Sequence, residues 1–282
     1  MARARARGQR KAGMDGLYVH GYGAAESARL ADQADALAGL LHADTSYPEG
    51  ALVLEAGCGA GAQTLRLAAR SPRARFVSVD LSAPSLAEAR AKATAAGFAD
   101  VRFARADIRA LPFAPSTFDH VFVCFVLEHL PDPAGALRAL RRLLKPGGAL
   151  TAIEGDHGSA YLHPDDADAR AAIAAQVALQ AQAGGNALIG RRLHPLLREA
   201  GFADVRVSPR MVYVDGSRPD LAQGFTRDTF AAMIAGVRDA AVGAGLIEAG
   251  RFDAGLRALR RAAEPDGVFC YTFFKAAGVN AA

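Results

Sequence analysis

Leu52-Val53-Leu54-Glu55-Ala56-Gly57-Cys58-Gly59-Ala60-Gly61-Ala62-Gln63-Thr64 decides the fold of this chain. A short apolar run ends in a carboxylate. Three glycines follow at alternate positions, and then a helical pattern begins. This order reads as a buried parallel strand, a tight turn and a helix start, where doubly wound sheets seat nucleotide-like ligands. A dinucleotide fingerprint would read G-x-G-x-x-G, with the helix N-terminus aimed at a pyrophosphate. Here the spacing is G-x-G-x-G, with Glu55 just before it. A carboxylate at the mouth of the turn would repel a pyrophosphate and suit an ammonium or sulfonium charge.

Working outward, the same grammar repeats. Arg75-Phe-Val-Ser-Val-Asp80 is a second strand ending in an acid, and a helix over 82–96 follows, with Ser82 as N-cap and Gly97 as its stop. Residues 101–107 make a third strand ending in Asp107, 118–125 a fourth, and 149–154 a fifth, after a helix at 133–144. This alternation implies a parallel sheet with helices on both faces and right-handed crossovers. Beyond 154 the rhythm changes. Helices are expected over 163–183, 191–200 and much of 216–263, with strands at 204–214 and 268–275. The expected fold is therefore α/β: a doubly wound, Rossmann-like, seven-stranded sheet with helical insertions after strands five and six. The domain plan is a basic tail over 1–13, an N-terminal helical lid over 14–48, and one domain over 49–282 with substrate-cap insertions at about 156–190 and 216–263.

Composition narrows the class. At 282 residues, 51% hydrophobic and 22% charged, the chain can bury a substantial core. No uncharged apolar run is long enough to span a bilayer, and no signal-like segment follows the basic start, so a cytoplasmic protein is expected. The net charge of +4 comes from Arg3, Arg5, Arg7, Arg10 and Lys11; the remainder carries 28 basic against 29 acidic residues. With no aromatic residue among those arginines, the arm reads as a solvated tail rather than a nucleic-acid grip. Cys58, Cys124 and Cys270 lack CxxC spacing, so neither a disulfide framework nor a metal site is expected.

Three strand-terminal acids beside one glycine turn make a specific signal. Asp80 lies 23 residues past Gly57, close to the offset of an acid that grips ribose hydroxyls. A carboxylate can accept both hydrogen bonds of a vicinal diol. At this point the chain resembles the class I S-adenosylmethionine-dependent methyltransferases of small-molecule type. The motifs are Glu55-Ala-Gly57-Cys-Gly59-Ala-Gly61, Val79-Asp80-Leu81-Ser82, Ala106-Asp107-Ile108, Phe118-Asp119 with Val126-Leu127-Glu128-His129-Leu130, and Leu144-Lys-Pro-Gly-Gly148. The resemblance is strong over 50–155; the latter half matches only in its strand plan.

The resemblance implies S-adenosylmethionine as cofactor, leaving S-adenosylhomocysteine as product. Gly57 and Gly59 would let the backbone approach its methionine part, and Glu55 would help place its amino group through the turn. Asp80 would grip the ribose, Leu81 lie along the adenine, Asp107 accept from the adenine amino group and Ile108 stack on the ring. Cys124 and Phe125 would lie beside the methionine portion; many relatives carry Asn where this chain has Cys124. The segment Tyr18, Gly21-Tyr22, Glu26, Arg29-Leu30, Gln33 is similar to a lid found in a subset of these enzymes. There Arg29 would meet the cofactor carboxylate, and Tyr18 or Gln33 would add a hydrogen bond.

Methyl transfer from a sulfonium needs alignment and exclusion of water, and a protein base only where the acceptor must lose a proton. His157, beside Asp156, and His129, after Glu128, are the candidate bases; His163 before Pro164 reads as a turn residue. Asn186, Arg191 and Arg192 are polar candidates for the acceptor, and Tyr161, Tyr213 and Phe225 candidate pocket aromatics. The expected function is methyl transfer to an O or N atom of a small organic molecule, in specialised metabolism, with no membrane partner. Three alternatives stay open: an RNA or protein methyltransferase using the basic arm, a non-catalytic S-adenosylmethionine-binding protein, and, least favoured, an NAD-linked reductase. A homodimer is also left open.

Overall fold

The computed structural model describes residues 37–281. Its core is one seven-stranded sheet in the order β3-β2-β1-β4-β5-β7-β6. The strands are β1 (Leu52–Ala56), β2 (Arg75–Asp80), β3 (Arg102–Arg105), β4 (Phe118–Cys124), β5 (Leu144–His163), β6 (Ala203–Val214) and β7 (Val268–Val279). The first five pair in parallel, while β7 runs antiparallel to both β5 and β6. The order reverses between β1 and β4, which makes that edge the switch point where doubly wound sheets open a crevice.

The parallel strands read as continuous apolar runs because both faces are covered. Successive residues point to opposite sides. Val53, Phe76, Phe122 and Ile153 therefore pack into one buried cluster with Leu37 and Leu41, while Leu54, Val79, Val121 and Leu150 pack into the other with Leu137, Leu140 and Leu193. The helix Ala83–Ala95 starts as its sequence directs: Ser82 accepts from the Ser85 amide at 3.3 Å, with proline in the first turn. Asp132 caps Pro133–Leu143 in the same way, accepting from the Gly135 amide at 2.8 Å.

Past β5 the structure departs from expectation. Residues 156–163, read as the start of an insertion, continue β5 as a long strand paired to β7, with a bulge between Asp156 and Tyr161. The pairing partner explains the length: Phe269, Tyr271 and Phe273 on β7 alternate inward and supply an apolar face beyond the parallel core. The helix expected over 163–183 is Ala167–Gln182, capped by Asp166, which accepts from the Asp168 and Ala169 amides. The expected stretch at 216–263 is helical, but Ala222–Ala231 winds as a π-helix. It packs with Ala249–Arg261 over the β7 aromatics. No helix among the described residues is long and apolar enough to cross a membrane.

Candidate functional site

The glycine turn joins β1 to the helix Ala62–Arg70. Gly57, Gly59 and Gly61 have φ of 84°, 50° and 81°, a region most residues avoid. They serve different ends. A Cβ at Gly57 would lie 2.4 Å from Val126 Cγ2, and one at Gly61 would lie 3.0 Å from Ala89 Cβ, so these two allow close packing. Among the described residues, a Cβ at Gly59 would meet nothing within 4 Å. Gly59 therefore presents bare backbone to open space, the cradle that a cofactor crossing the strand tops requires. The Gly57 and Cys58 amides are already engaged, both donating to Val79 O, at 2.8 and 2.9 Å.

Asp80 reaches into this cradle from the end of β2. Its Oδ2 accepts from the Gly59 amide at 2.8 Å and its Oδ1 from the Ser82 amide at 2.9 Å. One carboxylate thus ties the turn to the next helix. Each oxygen keeps a second lone pair, enough to receive a diol. Leu81 follows it, half-buried. Asp107 sits two residues beyond the end of β3 rather than in it. Its carboxylate is forked by Arg109, at 2.7 Å from Nη2 and 3.0 Å from Nε, and this pairing holds it below the usual carboxylate range. Ile108 is buried beside it.

Glu55 corrects the reading of a carboxylate at the mouth. It is buried beneath the turn, where one oxygen accepts from Thr64 Oγ1 at 2.6 Å and Ser78 Oγ at 2.7 Å. Burial, partly offset by those hydroxyls, pushes its carboxyl up to about 7. Glu55 braces the turn from below; its charge does not screen a ligand at the surface.

On the other side of the switch point, β4 ends at Cys124, which is buried. Phe125 follows with φ of 57°, uncommon for a bulky residue and typical of strained site residues. Its ring lies 5.4 Å from that of Phe273. The 3₁₀ turn Leu127–His129 comes next. Glu154, midway along β5, accepts the Val126 and Leu127 amides on Oε1, at 3.0 and 2.8 Å.

His157 lies in the extended part of β5, not in a loop. Its Nδ1 is 2.6 Å from the hydroxyl of Tyr271 on β7, and both side chains are buried. Around that hydroxyl, the rings of Phe225 and Phe230 from the π-helix and Phe273 from β7 lie 4.7 to 5.9 Å from the Tyr271 ring. Burial, reinforced by Glu128 and Asp156, keeps the Tyr271 phenol protonated well above its ordinary range. His129 faces Glu128 at 3.7 Å, and Glu128 is bound by Gln180 from the Ala167–Gln182 helix at 3.1 Å.

Other expectations are redistributed. Arg191 forks the Asp156 carboxylate at 2.6 and 2.7 Å and so ties its turn to β5, and Asn186 Oδ1 accepts from the Leu188 amide at 3.0 Å within its own loop. Arg192 is exposed. Tyr161 and Tyr213 both register with Cys270 and are 70% and 44% exposed, on the outward face of the sheet; of the three aromatics, only Phe225 turns inward. His163 ends β5 at the surface. Among the described residues no group of three or more His, Cys, Asp or Glu could hold a metal ion, and all three cysteines are free thiols. Tyr18, Arg29 and Gln33 lie outside the described residues. Sequence reasoning missed Tyr271 and Glu154. Tyr271 is hidden in an alternating aromatic strand, whereas Glu154 carried the same strand-terminal signature as Glu55 and Asp80.

Comparison with known proteins agrees with this geometry. Residues 54–152 match the model of the methyltransferase domain family. That stretch carries the glycine cradle, Asp80 and the strand reversal between β1 and β4, and it is similar to methyltransferase domains. The chain is 34% identical over 189 residues to an uncharacterised 37.1 kDa protein of a Streptomyces fradiae transposon, covering 66% of this chain and 54% of that one. It is 42% identical over 102 residues to a demethylmenaquinone methyltransferase of Thermus thermophilus, covering 36% and 46%. It thus spans about half the length of these curated relatives.

Among solved structures, the fold matches a [4+2]-cyclase, SpnF, with TM-score 0.51 and 22% identity, covering 86% of this chain and 80% of that one. It also matches a Haemonchus contortus phosphoethanolamine N-methyltransferase holding phosphomonomethylethanolamine and S-adenosylhomocysteine, with TM-score 0.54 and 18% identity, covering 89% and 52%.

Proposed function

We propose that this protein transfers a methyl group from S-adenosylmethionine to an O or N atom of a small organic molecule. The observation that carries the reading is the cradle over Gly59 with Asp80 at its rim, at the ends of β1 and β2 beside the switch point. The bound cofactor supplies a sulfonium-activated methyl group. Gly59, Asp80, Leu81, Asp107 and Ile108 are the residues of this chain that hold it, with Cys124 and Phe125 beside its methionine end. Gly57 and Glu55 act beneath, shaping the turn. Tyr18, Arg29 and Gln33 are assigned to the lid by their sequence pattern alone.

The other work of the protein is to orient the acceptor and exclude water. Where the acceptor must lose a proton, His157 is the base. That role requires the tautomer in which Nδ1–H donates to the Tyr271 oxygen, leaving the lone pair on Nε2. Tyr271 then fixes the ring and its tautomer. His129, paired with Glu128, is the second candidate. The aromatic wall favours an acceptor with a planar or unsaturated apolar body, in keeping with the quinone-directed name of one relative. A role in specialised metabolism and in the cytoplasm is the matching expectation.

The test is turnover of labelled methyl groups by the full chain against a panel of phenols, carboxylates and amines. Transfer to members of one class supports the proposal. Binding of S-adenosylhomocysteine without transfer to any of them would make the protein a binder or a catalyst of another reaction. Transfer to RNA or protein instead, lost on deleting residues 1–12, would favour the basic-arm reading.

A further inference from the structure

Glu154 belongs to none of the motifs quoted above, yet it ties β5 to the turn that follows β4. It stands midway along β5, one residue beyond the register pair of Cys124 with Ile153, and is wholly buried. Its Oε1 gathers the Val126 and Leu127 amides, while Oε2 has no hydrogen-bond partner among the described residues. Those amides follow directly on Phe125, whose left-handed backbone a bulky side chain adopts only where the surroundings impose it. The Val126 side chain in turn packs onto Gly57, the first residue of the cofactor turn. A carboxyl group on β5 therefore fixes a strained turn on β4, and that turn walls the glycine turn of β1.

We infer that Glu154 is a positioning residue for the methyl-donor site: by accepting the Val126 and Leu127 amides it holds the Phe125 turn against Gly57 and so sets one wall of the cradle. The inference rests on the reading that the donor lies across Gly59 and Asp80. Complete burial and the nearby Glu128 push the Glu154 carboxyl well above the usual carboxylate range. A carboxamide has the same reach and keeps the accepting oxygen; a shorter acid keeps the ionisable group and loses the reach.

The experiment compares Glu154→Gln, Glu154→Asp and Glu154→Ala in the full-length protein. S-adenosylhomocysteine affinity is read by calorimetry at pH 6 and pH 8, with a thermal melt of each variant alone. The Gln variant is expected to bind within about threefold of wild type at both pH values. The Asp and Ala variants are expected to lose about tenfold or more, the scale of two lost hydrogen bonds. If Ala fails to fold, the contrast between Gln and Asp decides alone. Gln as weak as Asp, or Asp as tight as wild type, overturns the inference. Failure of the wild type to bind at all overturns instead the reading of the donor site, so the two failures are distinguishable.

Discussion

Gly57 and Gly59 stand two residues apart and are glycine for different reasons, which single substitutions separate. Gly57→Ala drives a methyl group into Val126 at 2.4 Å in a backbone that disfavours it, so the melting temperature falls sharply and binding falls with it. At Gly59 an added Cβ meets no atom of the described residues within 4 Å, so the fold feels chiefly the cost of a positive φ, about 1–2 kcal/mol, in Gly59→Val. Its loss is in cofactor affinity. A Gly59→Val protein that folds and binds S-adenosylhomocysteine normally would place the cradle elsewhere.

Asp80→Ala removes both the diol clamp and the acceptor for two backbone amides. Calorimetry should show a loss of about 10–100-fold, the worth of a charge-assisted hydrogen bond of ~1.5–3 kcal/mol. Glu55 is testable through stability alone. Its carboxyl rises from 4.5 to about 7 on folding, so the native state binds the proton that the unfolded chain releases. The stability this contributes is full below about 4.5 and is lost as pH climbs toward and past 7. At about 1.4 kcal/mol per unit, the loss is of order 3 kcal/mol, and Glu55→Gln should flatten that part of the stability–pH curve. An unchanged slope in denaturant titrations from pH 4.5 to 8 contradicts the assignment.

At the scale of elements, the parallel half was legible because each strand carries its own end signal. Glu55, Asp80 and the cap at Ser82 mark boundaries that the structure reproduces to within a residue or two. The antiparallel half was not legible. Nothing local tells Gly155-Asp156-His157-Gly158 to stay extended, because the reason is a partner more than a hundred residues away on β7. The π-helix Ala222–Ala231 was equally hidden, since its sequence reads as an ordinary helix; π segments cluster at functional sites. It places Phe225 and Phe230 against Tyr271 and buries Thr226 with no partner for its hydroxyl among the described residues. Thr226→Val should therefore raise unfolding stability by about 1 kcal/mol, as deleting an unsatisfied buried hydroxyl does. A fall in the melting temperature would reveal an interaction at that hydroxyl.

Across β5 and β7, His157 and Tyr271 act as one unit. Tyr271→Phe should lower kcat and shift its pH profile while leaving S-adenosylhomocysteine affinity unchanged, and His157→Gln should do the same more strongly. Rates and pH profiles that match wild type in both would remove the base from the mechanism.

For the whole molecule, the sheet divides the labour. Its parallel half builds the cradle over Gly59, and its antiparallel extension with the helical stretch behind it builds the wall around Tyr271. The proposed site sits where the strand order reverses between β1 and β4, and Glu154 reaches from β5 to the turn that follows β4. A crystal structure of the full-length protein with S-adenosylhomocysteine tests this directly. The account predicts the ribose hydroxyls on Asp80, the methionine chain over Gly59 and the sulfur directed toward the His157–Tyr271 wall. The cofactor product found in any other crevice, or absent from crystals grown at saturating concentration, would contradict it.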